Sequence, residues 1–161
     1  NAAALNWYRT SSEGGDAQAQ DMLSWMLLEG DVADVDPVQA RRWAEAAAVQ
    51  GIASAMTRMG MIYHNALGVE RDATLAADWW TKGVEAGDAD AMAMLGAANH
   101  LGQGVEADPM RAMVLLIMAQ KLGSPLATTF FNVVKSTLPE MAFAKAEELA
   151  GTIMQERGSL P

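Results

Sequence analysis

The sequence predicts an all-α fold, a solenoid of stacked helix-turn-helix repeats, on three observations. The chain repeats itself at a 36-residue period without an insertion. Within each copy the apolar residues fall at i, i+4 and i+8, the spacing of one helical face. Ala and Met supply much of the 51% apolar content, and small or unbranched side chains lose little rotamer freedom in a helix.

The period is visible as columns. Ala4, Ala40, Ala76 and Ala112 share one, and Trp7, Trp43, Trp79 and Leu115 the next. Gly15, Gly51, Gly87 and Gly123 follow, then Ala19, Ala55, Ala91 and Ala127. Leu23, Met59, Leu95 and Phe131 precede Ser24, Gly60, Gly96 and Asn132, and Asp36, Asp72 and Asp108 close the set. Self-similarity at such a period marks stacked supersecondary units, each unable to bury its apolar face alone.

Each element has its own signals. Helix 3–14 carries Ala4 and Trp7 and stops at Gly15; it is the second helix of an incomplete repeat. Helix 16–29 opens on Asp16, whose carboxylate can accept from free backbone N–H groups. Helix 37–50 opens on Asp36-Pro37, with Pro at the first helical position, and ends at Gly51, which tolerates a left-handed cap. Helix 52–66 carries the stripe Ala55, Met59, Tyr63, and Gly60 beside it permits a close helix approach. Helices 73–86 and 109–122 repeat the Asp start at Asp72 and Asp108, while 88–101 and 124–136 open on Asp88 and Ser124. After Leu138-Pro139 the period is lost, and 140–157 reads as a final amphipathic helix over the last repeat. The organisation is one domain, 1–161, with repeats 16–51, 52–87 and 88–123 and terminal helices 124–157 as a cap.

Composition narrows the function. A net charge of −9 opposes phosphate backbones and anionic lipid, and permits basic peptides or basic protein surfaces. With no Cys, disulfides, thiolate metal sites and Cys nucleophiles are excluded. No apolar run approaches the roughly 20 residues of a membrane span. The chain opens on Asn1-Ala2 without Met, inside a helical pattern, so a leader or further repeats upstream would be compatible with it. A periplasmic or secreted location is expected, with a cytoplasmic one as the alternative.

The columns resemble the Sel-one-like repeat, a relative of the tetratricopeptide repeat common in bacterial proteins. Ala55, Met59-Gly60, Tyr63, Gly68-Val69 and Asp72 carry the likeness, as do Ala91, Leu95-Gly96, Gly104-Val105 and Asp108. Ala40, Trp43 and Ala47, then Ala76, Trp79-Trp80 and Gly87, match its second helix, and Leu138-Pro139-Glu140 looks like the close of bacterial members. Leu27 and Asn99 stand where Tyr is usual, Leu115 replaces Trp, and the loop at Gly30-Asp31-Val32-Ala33 lacks Gly-Val. The resemblance implies a right-handed α/α superhelical solenoid, and an adaptor in protein complexes, signalling or cell-envelope processes.

In tetratricopeptide-like stacks the first helix of each pair lines the concave face. Projection from the Leu-Gly column puts Gln18, Asp21, Trp25, Leu28 and Glu29 of copy one outward. Copy two contributes Ser54, Thr57, Met61, His64 and Asn65, and copy three Asp90, Ala93, Ala97, His100 and Leu101. Trp25 is the strongest candidate contact, because an accessible Trp anchors partners efficiently. Trp7, Trp43, Trp79 and Trp80 are expected in the core, with Met22, Met56, Met59, Met92 and Met94.

His64 and His100 share a column on adjacent repeats, roughly 10 Å apart by helix spacing. That is too far for one ion, so no metal or cofactor is expected. Asp21 and Asp90, which could serve a glycosidase as a pair, lie two repeats apart. No catalytic residues are assigned. The expected role is a scaffold binding a protein or peptide. The alternatives are an assembly module docking through the solenoid ends, favoured by an apolar terminal helix 3–14, and a cell-envelope hydrolase.

Overall fold

The computed structural model describes residues 2–158, which form α1 (Ala2–Glu13), α2 (Ala17–Glu29), α3 (Pro37–Val49), α4 (Ala53–His64), α5 (Ala73–Glu85), α6 (Ala89–Leu101), α7 (Pro109–Lys121), α8 (Pro125–Ser136) and α9 (Glu140–Gly158). Two compact units hold them, Asn1–Ala86 with α1 to α5 and Gly87–Pro161 with α6 to α9.

The caps explain the boundaries. Asp16, Asp36, Asp72, Asp88 and Asp108 each accept a hydrogen bond from the backbone N–H three residues on, and each such cap stabilises its helix by about 1 kcal/mol. Ile52, in the column of Asp16 and Asp88, starts α4 without a side-chain cap. Ser124 starts α8 but does not cap it: its hydroxyl donates instead to Asp90 Oδ1 at 2.6 Å. The long loops close the same way in every copy. The N–H of Asp36, Asp72 and Asp108 donates to the carbonyl of Leu27, Tyr63 and Asn99 at 2.9, 3.1 and 2.9 Å. Because the bond is made by backbone, Leu or Asn can replace Tyr there.

Gly15, Gly51, Gly87 and Gly123 have φ of 93°, 94°, 88° and 86°, left-handed backbone that a side chain would strain. Ala66 has φ 54°, where the first and third long loops hold Gly30 and Gly102. A non-Gly residue there costs on the order of 1 kcal/mol. Ala66→Gly should therefore stabilise by up to about 1 kcal/mol, the gain being trimmed by the freer unfolded chain. Urea denaturation measures it, and a lower midpoint for the variant would reject the strain.

In the first unit α1 packs on α2, α2 on α3, α3 on α4 and α4 on α5. One cluster gathers Leu23, Leu27, Ala33 and Ala40 with Leu5, Tyr8, Leu28 and Trp43 against it. The next gathers Ala44, Ala47, Ala48, Ala55, Met59 and Ile62 with Trp79 against it. Trp80 is buried, and its Nε1 donates to the Thr57 carbonyl at 3.2 Å. Trp7 departs from the expectation: it is 61% exposed, stacked edge-on against Tyr8. Trp43 and Trp79 are partly covered by the first helices of their own repeats; α1 has no such helix among the described residues.

Ser12, on the inner side of α1, is 1% exposed and its hydroxyl has no hydrogen-bond partner. The next copy holds Ala48 in that column, also buried. An unpartnered buried hydroxyl costs about 1–3 kcal/mol, so Ser12→Ala is expected to raise the thermal midpoint by roughly 2–4 °C. A midpoint that falls would mean the hydroxyl contributes a bond.

In the second unit α6 packs on α7 and α8, and α7 on α8 and α9. Covered on three sides, α7 buries every residue from Ala112 to Ala119. Ala146 and Ala150 are the buried positions of α9, while Met141 is 88% exposed. Phe143 meets Phe131 edge-on at 6.2 Å, and Lys135 lies over its ring.

Candidate protein-binding surface

The expected contact residues fall in both units. In the first, α2 and α4 are joined by one polar cluster. Arg58 of α4 pairs with Asp21 Oδ1 of α2 and also donates to the Asp21 carbonyl at 3.2 Å. Ser54 donates to the other carboxylate oxygen at 2.6 Å. The Asp21 and Arg58 side chains are 14% and 17% exposed, and the pair joins the two helices.

Next to this cluster, α2 presents Trp25 at 43% exposure and Met22 at 40%. Gln18 and Glu29 on the same helix, and Asn65 after α4, are exposed. Met61 is partly buried, and Leu28 sits between the two apolar clusters. Thr57, expected to face outward, is only 8% exposed, with its hydroxyl bonded back to the Ala53 carbonyl. The Trp80 indole, from α5, lies against it and donates its Nε1–H to the Thr57 carbonyl.

His64 lies 5.5 Å from Trp80, ring centroid to ring centroid, at 51°. Burial, helped by the nearby Arg71 guanidinium, lowers its pKa below the usual imidazole value. The ring is therefore neutral near pH 7, offering a nitrogen lone pair and a donor rather than a cation.

In the second unit, Asp90 is engaged by Ser124, and Ala93 and Ala97 are buried. Here α6 packs on both α7 and α8, and the Ser124 bond ties Asp90 to the start of α8. His100 is partly buried and Leu101 is 57% exposed.

Met22, which the sequence assigned to the core, belongs with the exposed residues. Its column holds Arg58 in the next copy, and a charged member is the signal that such a position need not be core.

Sequence and structure comparisons agree with this architecture. The Sel1 repeat profile matches residues 1–16, 17–52, 53–88 and 89–124. A Sel1 repeat protein from Oxalobacter formigenes is 31% identical, with TM-score 0.68, over 79% of this chain and 52% of its own. The protective antigen c5321 of uropathogenic Escherichia coli, which displays an SLR fold, is 24% identical with TM-score 0.68, over 94% of this chain and 40% of its own. The cysteine rich protein B of Helicobacter pylori is 20% identical with TM-score 0.62, over 80% and 92%. This chain thus spans about half the length of the first and two fifths of the second. No protein of curated function matches it. This chain has no Cys, and buried Ala, Leu and Met columns form its core. With four matched segments covering most of its length, an all-α solenoid on a 36-residue period, the chain belongs to the Sel1 repeat family.

Proposed function

We propose that the chain is a protein-interaction scaffold that receives a peptide or protein on the α2/α4 surface of its first unit. Sel1 repeat proteins are generally scaffolds of this kind and typically non-catalytic. The observation that carries the assignment to this surface is Trp25: a large aromatic 43% exposed beside an exposed Met. Rigid aromatic side chains contribute large contact area at low entropic cost, which is why Trp dominates binding hot spots. Asp21 offers no free carboxylate, since Arg58 and Ser54 hold both its oxygens. That argues against the hydrolase alternative.

Site-specific photo-crosslinking tests this reading. A benzophenone side chain at position 25 or 61 should capture a discrete partner in cells of the source organism. The same group at Val49, 79% exposed on α3, serves as the control. Equal capture from position 49, or none from 25 and 61, would remove the assignment.

A second reading, self-association through α1, is favoured by the accessible indole of Trp7. It is 61% exposed, whereas its column mates Trp43 and Trp79 are partly covered. Sedimentation of the parent and of Trp7→Ser decides it: self-association lost in the variant supports the reading, and a monomeric parent at high concentration rejects it.

A further inference from the structure

The α2 surface also carries a charge pattern that names the class of its partner. From Thr10 to Ala40 the sequence has no Lys or Arg, and it holds Glu13, Asp16, Asp21, Glu29, Asp31, Asp34 and Asp36. Asp16 and Asp36 cap helices, and Asp21 is held by Arg58. Asp31 and Asp34 share an open depression with Arg9 of α1. Glu29 is different: it is exposed and makes no ion pair among the described residues. It stands four residues after Trp25, and residues so spaced are neighbours on one helical face, about 5–6 Å apart at Cβ.

The face therefore presents, in order, Gln18, an exposed Met22, an exposed Trp25 and a free carboxylate at Glu29. An indole face attracts a cation through its quadrupole, and a carboxylate within reach of the same cation adds a direct ion pair. A guanidinium can satisfy both, stacking on the ring while its fork meets the carboxylate. An acidic or phosphorylated segment would instead meet like charge from Glu29 and the acidic loop after it. The apolar half of the stripe, Met22 with its flexible thioether, can adapt to a range of aliphatic side chains.

We propose that the Met22–Trp25–Glu29 stripe of α2 docks a basic peptide segment, with an Arg or Lys between Trp25 and Glu29 and an apolar side chain on Met22. This rests on the reading that the α2/α4 surface receives the partner, and it adds the chemistry of what is received. Electrostatic attraction between the acidic surface and such a segment would speed encounter and weaken as salt rises.

The test is selection of a random peptide library displayed on phage against the intact chain, followed by affinity measurements with Trp25→Ala and Glu29→Gln. Both side chains are exposed, and circular dichroism checks that the variants keep their helicity. Selected peptides should pair Arg or Lys with an apolar neighbour. They should lose about tenfold or more in affinity with Trp25→Ala, and about threefold with Glu29→Gln or with a rise to high salt. Neutral or acidic peptides that still require Trp25 would overturn the basic-segment inference and leave the surface standing. Peptides indifferent to Trp25 would overturn both. If no peptide is enriched, the inference fails, while crosslinking from position 25 decides the surface independently.

Discussion

Gly60→Ser is expected to destabilise the first unit by about 3 kcal/mol, although Ser is the better helix former by roughly 0.5 kcal/mol. A Cβ at Gly60 would fall inside the contact distance of three atoms of the Trp80 indole, Nε1, Cδ1 and Cε2. The indole cannot retreat cheaply: it is 2% exposed and its Nε1 is tied to the Thr57 carbonyl. Overpacking of this kind costs about 1–3 kcal/mol, and loss of the indole bond about 1 kcal/mol more. The column supplies its own control. In copy one, Ser24 occupies the Gly60 position and Ala44 the Trp80 position, and Ser24 Oγ bonds the Ala40 carbonyl at 2.7 Å. In copy three, Gly96 again faces a large residue, Leu116. Gly thus faces a large residue in two copies, and Ser faces Ala in the other.

The same pairing makes the prediction specific. Trp80→Ala alone should cost about 3–5 kcal/mol through the cavity it leaves. Combined with Gly60→Ser, it rebuilds the Ser24–Ala44 arrangement of copy one. The double variant should therefore be about 2 kcal/mol more stable than the sum of the singles, an interaction term typical of residues in contact. Strict additivity in urea denaturation would sink the steric account.

The fold was legible because backbone signals repeat. Asp caps, the Gly15–Gly51–Gly87–Gly123 turns and the Trp and Leu columns each encode one local geometry, and local geometry sets helix ends. The surface was less legible, since a column fixes the side of the helix a residue occupies but not what covers that side. Ala97 and Trp25 share a column, yet the first is buried while the second is open. Thr57 is buried by an indole from α5, which follows it by more than 20 residues. Met22 looked like core because its spacing suits core, while the Arg58 in its column belongs to an inter-repeat ion pair that only the fold assembles. Trp7 sits in a core column, but exposure depends on the helix facing α1, which its own residues do not determine.

Arg58→Ala should cost about 2 kcal/mol and loosen α2 against α4. Removing one partner of a fully buried pair costs about 3–5 kcal/mol, because the other charge is stranded. Here the Asp21 and Arg58 side chains keep 14% and 17% exposure, so water returns part of that cost. Asp21 would retain one donor, Ser54, while its carbonyl would lose the second Arg58 bond. Asp21→Ala should cost less, about 1 kcal/mol, since a long Arg stem can swing its head into solvent. The double variant should then be more stable than the two losses added together predict, by about 1–2 kcal/mol. Hydrogen exchange offers a second readout. Amides of the first half of α2 should exchange faster in Arg58→Ala while those of α3 keep their protection, because the pair ties α2 to α4 alone. The consequence for binding follows from position. Trp25 lies one turn beyond Asp21 on α2, and Met61 lies three residues beyond Arg58 on α4, so the pair sets their spacing. Arg58→Ala should weaken a partner that needs Trp25, without itself touching that partner. A variant within about 0.5 kcal/mol of the parent, with unchanged capture at position 25, would mean the pair is a surface ornament and that apolar packing alone aligns the two helices.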